Sequence, residues 1–248
     1  MTADARTAEL AGNLQAVRSR IAAACAAAGR PPATLIVVTK YFGAEDVHRL
    51  AGLGVGDVGE NRDQEAAAKH AECADLPLTW HFIGQLQTNK AKSVVRYADL
   101  IHTVDRPSLV AALHRAAERQ DTVQDVLVQV NLDPLVRAER GGVDPAHLDE
   151  LVDLVGQASS LRLRGVMGVG PLGEDPAPAF ARLAELAARV RHAVPGADII
   201  SAGMSSDLEV AVEYGATHLR IGTAVMGSRP TVGYRQSKGG KNNEGEAQ

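Results

Sequence analysis

Apolar residues along the chain alternate between helical spacing and short continuous runs. In the first segment, residues 5–28, apolar side chains recur at steps of three or four, which predicts one buried face of a helix. These positions are Leu10, Leu14, Val17, Ile21 and Cys25. Gly29, Pro31 and Pro32 end this helix. The apolar run at 35–40, rich in β-branched residues, is predicted to be a buried strand that ends on a lysine.

The same alternation of strand-like runs and helix-like segments continues along the chain. Strands are predicted at residues 35–40, 57–60, 78–83, 100–104, 124–132, 161–169, 197–201 and 217–221. Strict β–α alternation indicates parallel strands with crossover helices, and eight such units are the number that closes a barrel. We therefore predict an α/β fold, a single (β/α)8 TIM barrel within residues 1–230, with an extra helix before strand one.

An open, doubly wound sheet is the alternative to the closed barrel. It is less favoured, because no G-x-G-x-x-G motif follows the first strand. After the barrel, residues 231–248 are polar and rich in glycine, and we predict that they form a disordered tail.

Composition and charge narrow the class of protein. The 248 residues are 45% hydrophobic, and the net charge of −4 gives no reason to expect nucleic acid or an acidic membrane surface as a partner. Cys25 and Cys73 fit neither a disulfide framework nor a metal site. The N-terminus has no apolar signal segment, and no apolar run is long enough to span a bilayer. A cytoplasmic protein is therefore expected.

Reactive side chains follow several predicted strands, at the end of a barrel where active sites lie. Lys40 ends the first strand, where desolvation can turn the amine into a nucleophile; a lysine that merely extends to solvent is the alternative. The loops after strands seven and eight often bind phosphate in barrels. They carry Ser205, Ser206, Gly222 and Thr223. For the serines, simple N-capping of the next helix is the alternative.

Strand one lies beside strand eight in a closed barrel, so Lys40 and these loops are expected to face one cavity. A phosphorylated aldehyde cofactor would satisfy both, with its phosphate bound by the loops and its aldehyde joined to the lysine. Arg220, on strand eight, could donate a hydrogen bond to a pyridine nitrogen and keep that nitrogen unprotonated. The ring would then be a poor electron sink. An ion pair at the barrel rim is the alternative role for Arg220.

Six short motifs, in order along the chain, carry a family resemblance. They are VVTK at 37–40, GENR at 59–62, WHFIGQLQTNK at 80–90, GVMG at 165–168, GMSSDL at 203–208 and RIGTA at 220–224. With these motifs the chain resembles the pyridoxal phosphate homeostasis proteins, whose fold is similar to the N-terminal barrel of alanine racemase. The long string at 80–90 is the most specific of the six.

The resemblance implies a cofactor and a role for each matching residue. Lys40 would hold pyridoxal 5′-phosphate (PLP) as a Schiff base. Ser205, Gly222 and Thr223 would bind the phosphate with help from Ser206, and Arg220 would meet the pyridine nitrogen. Asn61 and His81 would line the ring pocket, and Met167, at the end of strand six, is a further expected cofactor-binding residue. As alternatives, His81 could be a buried core histidine, and Asn61 could cap the helix that follows it.

Three functions are compatible with these residues. The first is a PLP-binding homeostasis protein with little or no turnover, with PLP-accepting apoenzymes as candidate partners. The second is a PLP-dependent amino-acid racemase or lyase, and the third an enzyme acting on another phosphorylated metabolite. The resemblance disfavours a racemase, because alanine racemase takes its second acid/base from a tyrosine in a C-terminal domain that is not expected here. A monomer is plausible for the same reason. Tyr41 follows Lys40 directly, so strand alternation predicts that it faces away from the cavity.

Overall fold

The computed structural model describes residues 3–133, 141–171 and 173–228. Within them, eight parallel strands form a closed barrel in chain order, with β8 paired to β1. The predicted (β/α)8 fold is therefore confirmed. The strands are β1 (Thr34–Val38), β2 (Asp57–Glu60), β3 (Thr79–Phe82), β4 (Leu100–Val104), β5 (Gln124–Gln129), β6 (Leu161–Met167), β7 (Ile199–Ser201) and β8 (His218–Ile221). The tail predicted at 231–248 lies outside the described residues.

Helices surround the barrel, and short 3-10 turns at Thr88–Lys90 and Pro145–His147 lead into two of them. The helices are α1 (Ala3–Ala27), α2 (Ala44–Gly52), α3 (Asp63–Glu72), α4 (Ala91–Val94), α5 (Pro107–Glu118), α6 (Leu148–Gln157), α7 (Ala177–Ala193), α8 (Leu208–Glu213) and α9 (Thr223–Met226). Among the helices of the described residues, none is both long and apolar enough to cross a membrane.

The extra helix α1 packs against α8 and α9, beside the last units of the barrel. Its predicted apolar face is buried throughout, from Leu10 to Cys25. Asn13 and Arg6 also donate hydrogen bonds to the carbonyl groups of Val225 (2.9 Å) and Met226 (3.0 Å) in α9. These carbonyls lie in a helix too short to satisfy them internally, so α1 stabilises the short helix that follows β8.

The end of β1 differs from its prediction. The strand stops at Val38 rather than at Lys40, although the Thr39 amide still donates to the Gly59 carbonyl at 3.1 Å. Tyr41 then has a φ of +72°, a left-handed conformation that turns the chain out of the extended path. Side-chain alternation therefore ends before Tyr41, and the prediction that this residue faces away from the cavity was wrong, as its contacts below establish.

The barrel is filled by aliphatic side chains and by several polar ones. Leu100, Leu127 and Met167 form a small apolar cluster. Beside them, His81, His102, Ser201 and Arg220 are at most 5% exposed, and each has a hydrogen-bond partner. Buried polar groups are costly unless they are paired, so these four residues form a connected set rather than isolated exceptions.

Candidate functional site

A cavity of about 290 Å³ opens where β1 and β8 lie side by side, at their C-terminal ends. A volume of this size suits a small ligand. The lining residues are Val38, Lys40, Tyr41, Phe42, Ile83, Met204, Ser205, Ser206, Arg220, Gly222, Thr223 and Gly227. Six of the residues predicted from the sequence are therefore brought together: Lys40, Ser205, Ser206, Arg220, Gly222 and Thr223.

Lys40 stands directly after the anchored end of β1 and is half-buried. Its Nζ lies 5.9 Å from the centroid of the Tyr41 ring, and the guanidinium of Arg62 lies 5.7 Å from the same ring. Both cations are thus within cation–π distance of this exposed ring, and Tyr41 lines the cavity. Sequence reasoning missed this position for Tyr41, because its signal, the left-handed backbone, is a property of the folded chain.

A buried network behind Lys40 fixes the backbone from which it projects. The Thr39 hydroxyl donates to Glu60 Oε1 at 2.6 Å, and Lys69 Nζ donates both to the Thr39 carbonyl at 2.9 Å and to Glu60 Oε1. Burial raises the pKa of Glu60, while the adjacent ammonium of Lys69 opposes that shift. All three residues are buried, so the residue that precedes Lys40 is held from its side chain and from its carbonyl.

The loops after β7 and β8 meet at the opposite wall of the cavity. Ser205 Oγ accepts a hydrogen bond from the Ala224 amide in α9 at 3.3 Å, and Gly222 lies at the start of the same helix. Gly203 has a φ of +88°, and a Cβ there would lie 2.7 Å from the Cβ of Ala211. Glycine is therefore required at this position for the loop to pass close to α8.

The N-capping alternative for the serines is not what the structure contains. Helix α8 begins at Leu208, and its N-cap residue is Asp207. Asp207 Oδ1 accepts a hydrogen bond from the Met204 amide at 2.6 Å and so closes the loop that carries the serines. Both serines line the cavity, and the Ser205 hydroxyl accepts from an amide of α9 instead.

Arg220 reaches the cavity from inside the barrel and is 5% exposed. Its Nη1 donates to Ser201 Oγ at 2.7 Å, and its Nη2 donates to the Gly168 carbonyl at 2.9 Å. Burial lowers its pKa to about 10, partly opposed by Asp207, so the group remains a cation near neutral pH. Within the described residues no carboxylate forms an ion pair with it, which argues against the rim ion pair. A buried cation in this position fits a ligand that is negatively charged or offers an acceptor.

Asn61, His81 and Met167 are not among the described residues that line this cavity, and their place at the cofactor stays a prediction. The His81 ring lies within the barrel, 3.0 Å from Asp57 Oδ1 and 2.9 Å from His102 Nε2. Met167 packs in the apolar cluster, on the inward side of β6. Asn61 does not cap α3, whose N-cap residue is Arg62, and its buried Oδ1 has no hydrogen-bond partner among the described residues.

The fold and this cavity define a class of protein, and comparison with known families agrees. The sequence profile of the alanine racemase N-terminal domain family matches residues 12–230, so the chain belongs to that family. Within it, curated relatives of similar length narrow the assignment. The chain is 44% identical to the pyridoxal phosphate homeostasis protein of Mycobacterium bovis, over 90% of this chain and 94% of that protein. It is 42% identical to that of Pseudomonas aeruginosa, over 89% and 96%. The chain is a member of the pyridoxal phosphate homeostasis protein family.

Solved structures give the same result. PipY of Synechococcus elongatus, in a structure with PLP bound, is 36% identical, with a TM-score of 0.78 over 88% of this chain and all of that one. Alanine racemase from Streptomyces coelicolor is 19% identical, with a TM-score of 0.73 over 88% of this chain and 58% of the racemase chain. At that level of identity the racemase supports the fold alone.

Proposed function

We propose that this chain binds PLP, holds it as a Schiff base on Lys40, and serves PLP homeostasis with little or no turnover. The observation that carries the proposal is the shared cavity. An amine, hydroxyl groups of two loops and the buried cation of Arg220 face one space of about 290 Å³. The names of the curated relatives and the PLP in the PipY structure support the same cofactor.

Each wall of the cavity matches one part of the cofactor. The hydroxyls of Ser205 and Thr223, with the backbone at Gly222, would bind the phosphate, and Ser206 would assist. Arg220 would donate a hydrogen bond to the pyridine nitrogen. When bound, PLP supplies an aldehyde that condenses with amines and a ring that can withdraw electrons. The position of Lys40 between these walls makes it the amine that would receive the aldehyde.

The low turnover follows from the charge of Arg220. Because the guanidinium keeps its proton near neutral pH, it would donate to the ring nitrogen rather than accept from it. An unprotonated ring nitrogen withdraws electrons weakly, so a carbanion next to the ring would gain little stabilisation. This favours a protein that holds PLP over one that uses it in rapid catalysis.

A PLP-dependent racemase or lyase is the second candidate, because Tyr41 lies in the cavity wall beside Lys40. A two-base racemase needs its acid/base groups on opposite faces of the substrate α-carbon. Tyr41 directly follows Lys40, so both groups come from the same segment after β1, which disfavours that pairing. Incubation with L-alanine and other amino acids should therefore give no racemisation near the ordinary enzyme rate of ~10 per second.

The cofactor proposal is tested by adding PLP to the purified protein and recording the visible absorbance. Borohydride reduction followed by peptide mass spectrometry should place the fixed cofactor on Lys40. K40A should lose both the absorbance band and the adduct, whereas K92A, which removes an exposed lysine of α4, should keep both. An adduct that persists in K40A would contradict the proposed attachment site.

The homeostasis role requires that bound PLP can leave the cavity and reach acceptors. We propose PLP-accepting apoenzymes as these acceptors and a monomer as the working form. Mixing the loaded protein with an apoenzyme, with the two separated by a dialysis membrane or in direct contact, distinguishes simple release from transfer on contact. Size-exclusion chromatography with light scattering measures the oligomeric state.

A further inference from the structure

A continuous chain of hydrogen bonds crosses the interior of the barrel and ends on Arg220. Arg220 Nη1 contacts Ser201 Oγ at 2.7 Å, and Ser201 Oγ contacts His102 Nδ1 at 2.9 Å. His102 Nε2 contacts His81 Nδ1 at 2.9 Å, and His81 Nε2 contacts Asp57 Oδ1 at 3.0 Å. The chain runs from the cavity at the end of β8 to the first residue of β2, at the opposite end of the barrel.

For two neutral imidazoles, the two ends of this chain set the direction of every bond in it. Arginine can only donate and a carboxylate can only accept. Ser201 therefore accepts from Arg220, which leaves its single hydrogen for His102 Nδ1. His102 then carries its proton on Nε2 and donates to His81 Nδ1, and His81 donates from Nε2 to Asp57. In this arrangement Ser201, His102 and His81 each use one donor and one acceptor.

The surroundings of His102 favour its neutral state. Burial, assisted by His81, Arg220 and His218, lowers the pKa of His102 well below its ordinary value. His218, on β8, has its ring centroid 6.4 Å from that of His81, and burial lowers its own pKa to about 4. Asp57, on β2, is the carboxylate that contacts this group of rings. A second proton on His102 would remove the acceptor that Ser201 needs.

We propose that Ser201 and His102 are positioning residues, which hold the Arg220 guanidinium in the orientation that meets the cofactor ring. The proposal rests on PLP binding at Lys40 as proposed above. Ser201 can keep its oxygen turned to Arg220 because its hydrogen is committed to His102. The second contact, from Arg220 Nη2 to the Gly168 carbonyl at 2.9 Å, then fixes the plane of the guanidinium. Without the chain, one of these two anchors is lost.

The test compares PLP binding and the visible spectrum of the bound cofactor across a set of variants. S201A removes the contact to Arg220, H102L interrupts the chain one residue further away, and S201T restores a hydroxyl. L127A is the matched control, because it also truncates a fully buried barrel side chain but has no place in the chain. We expect S201A and H102L to raise the Kd for PLP about tenfold, the loss typical of one hydrogen bond to a charged group. They should also shift the pH midpoint of the absorbance band, whereas S201T and L127A should match the wild type.

A double-mutant cycle separates positioning from general destabilisation. If Ser201 acts through Arg220, adding S201A to R220L should change neither the Kd nor the absorbance midpoint further. Unchanged binding and spectra in S201A and H102L, or a full additional effect of S201A in the R220L background, would overturn the proposal. If H102L does not fold, H102N keeps an acceptor near the Nδ1 position and should retain the wild-type spectrum.

The direction of the chain can be measured without the cofactor. In long-range proton–nitrogen NMR spectra of the cofactor-free protein, His102 should show an unprotonated Nδ1 and a protonated Nε2. A protonated Nδ1 would overturn the assignment. If the wild type binds no PLP, the proposed function fails while this readout still reports on the chain. If the wild type binds PLP and the variants are indistinguishable from it, the positioning role fails alone.

Discussion

Replacing Lys69 by methionine should destabilise the protein in a pH-dependent way. Lys69 is the buried cation that contacts Glu60 and the Thr39 carbonyl, so K69M leaves a buried carboxylate without its counter-charge. Breaking a buried pair from one side typically costs about 3–5 kcal/mol of unfolding free energy. The unpaired carboxylate of Glu60 can avoid this cost by taking up a proton and becoming neutral.

The free energy of protonating Glu60 sets the size of the pH effect. Protonating a carboxyl whose ordinary pKa is 4.5 costs about 1.36 kcal/mol for each unit by which the pH exceeds that pKa. The cost is therefore about 3.4 kcal/mol at pH 7 and about 0.7 kcal/mol at pH 5. Burial already raises the pKa of Glu60 in the folded state, and K69M should raise it further. A group with a raised folded pKa is least costly to stability below its unfolded pKa, and the folded state loses stability as pH rises. The loss caused by K69M should therefore shrink by as much as about 2.7 kcal/mol between pH 7 and pH 5.

Urea denaturation at both pH values, with the wild type run in parallel, measures this difference. K92M serves as the control, since it removes an exposed lysine and should change the unfolding free energy by less than about 0.5 kcal/mol. The double variant E60Q/K69M removes the carboxylate as well and should lose the added pH dependence. An equal loss in K69M at pH 5 and pH 7 would refute the reasoning, because it would mean that the carboxylate does not carry the cost.

Two further predictions concern the loop after β7. G203A should lower the unfolding free energy by about 2–4 kcal/mol, because left-handed backbone strain adds to a contact of 2.7 Å with Ala211. G196A is the control: its φ is +93° and a Cβ there meets nothing within 4 Å, so it should lose only about 1 kcal/mol. Thermal or urea unfolding measures both losses. S205A should raise the Kd for PLP about tenfold in a fluorescence titration. It should leave the Kd for pyridoxal unchanged, because pyridoxal lacks the phosphate. Equal losses of affinity for both ligands would place the serine away from the phosphate.

Most of the cavity could be predicted from the sequence, because it depends on topology. Once eight alternating units indicate a closed barrel, β8 must pair with β1, and the residues after these strands must meet. Lys40, Arg220 and the loop residues near 205 and 223 follow from that single step. No side-chain geometry is needed, since the ends of parallel strands lie on one face.

Other features of the site depend on positions that the local sequence pattern does not determine. Tyr41 lines the cavity with a left-handed backbone angle, which side-chain alternation along a strand does not anticipate. The position of the His81 ring depends on partners that lie 24 residues before it and 21 after it along the chain. The hydrogen bond between His102 and Ser201 spans 99 residues. Hydrogen-bond partners so far apart in sequence can be identified only from the closed barrel.

Two buried polar networks hold the reactive groups of the cavity from opposite directions. Glu60 and Lys69 hold the chain just before Lys40 from outside the barrel, through α3, whereas Ser201 and His102 hold Arg220 from inside it. With only aliphatic neighbours, Lys40 and Arg220 would each occupy many rotamers. Ordering them would then cost up to about 2 kcal/mol of side-chain entropy each. Fixing the backbone before one group and the head of the other reduces that cost before any ligand arrives. The geometry is therefore that of a preorganised site, in which less ordering cost remains when a ligand binds.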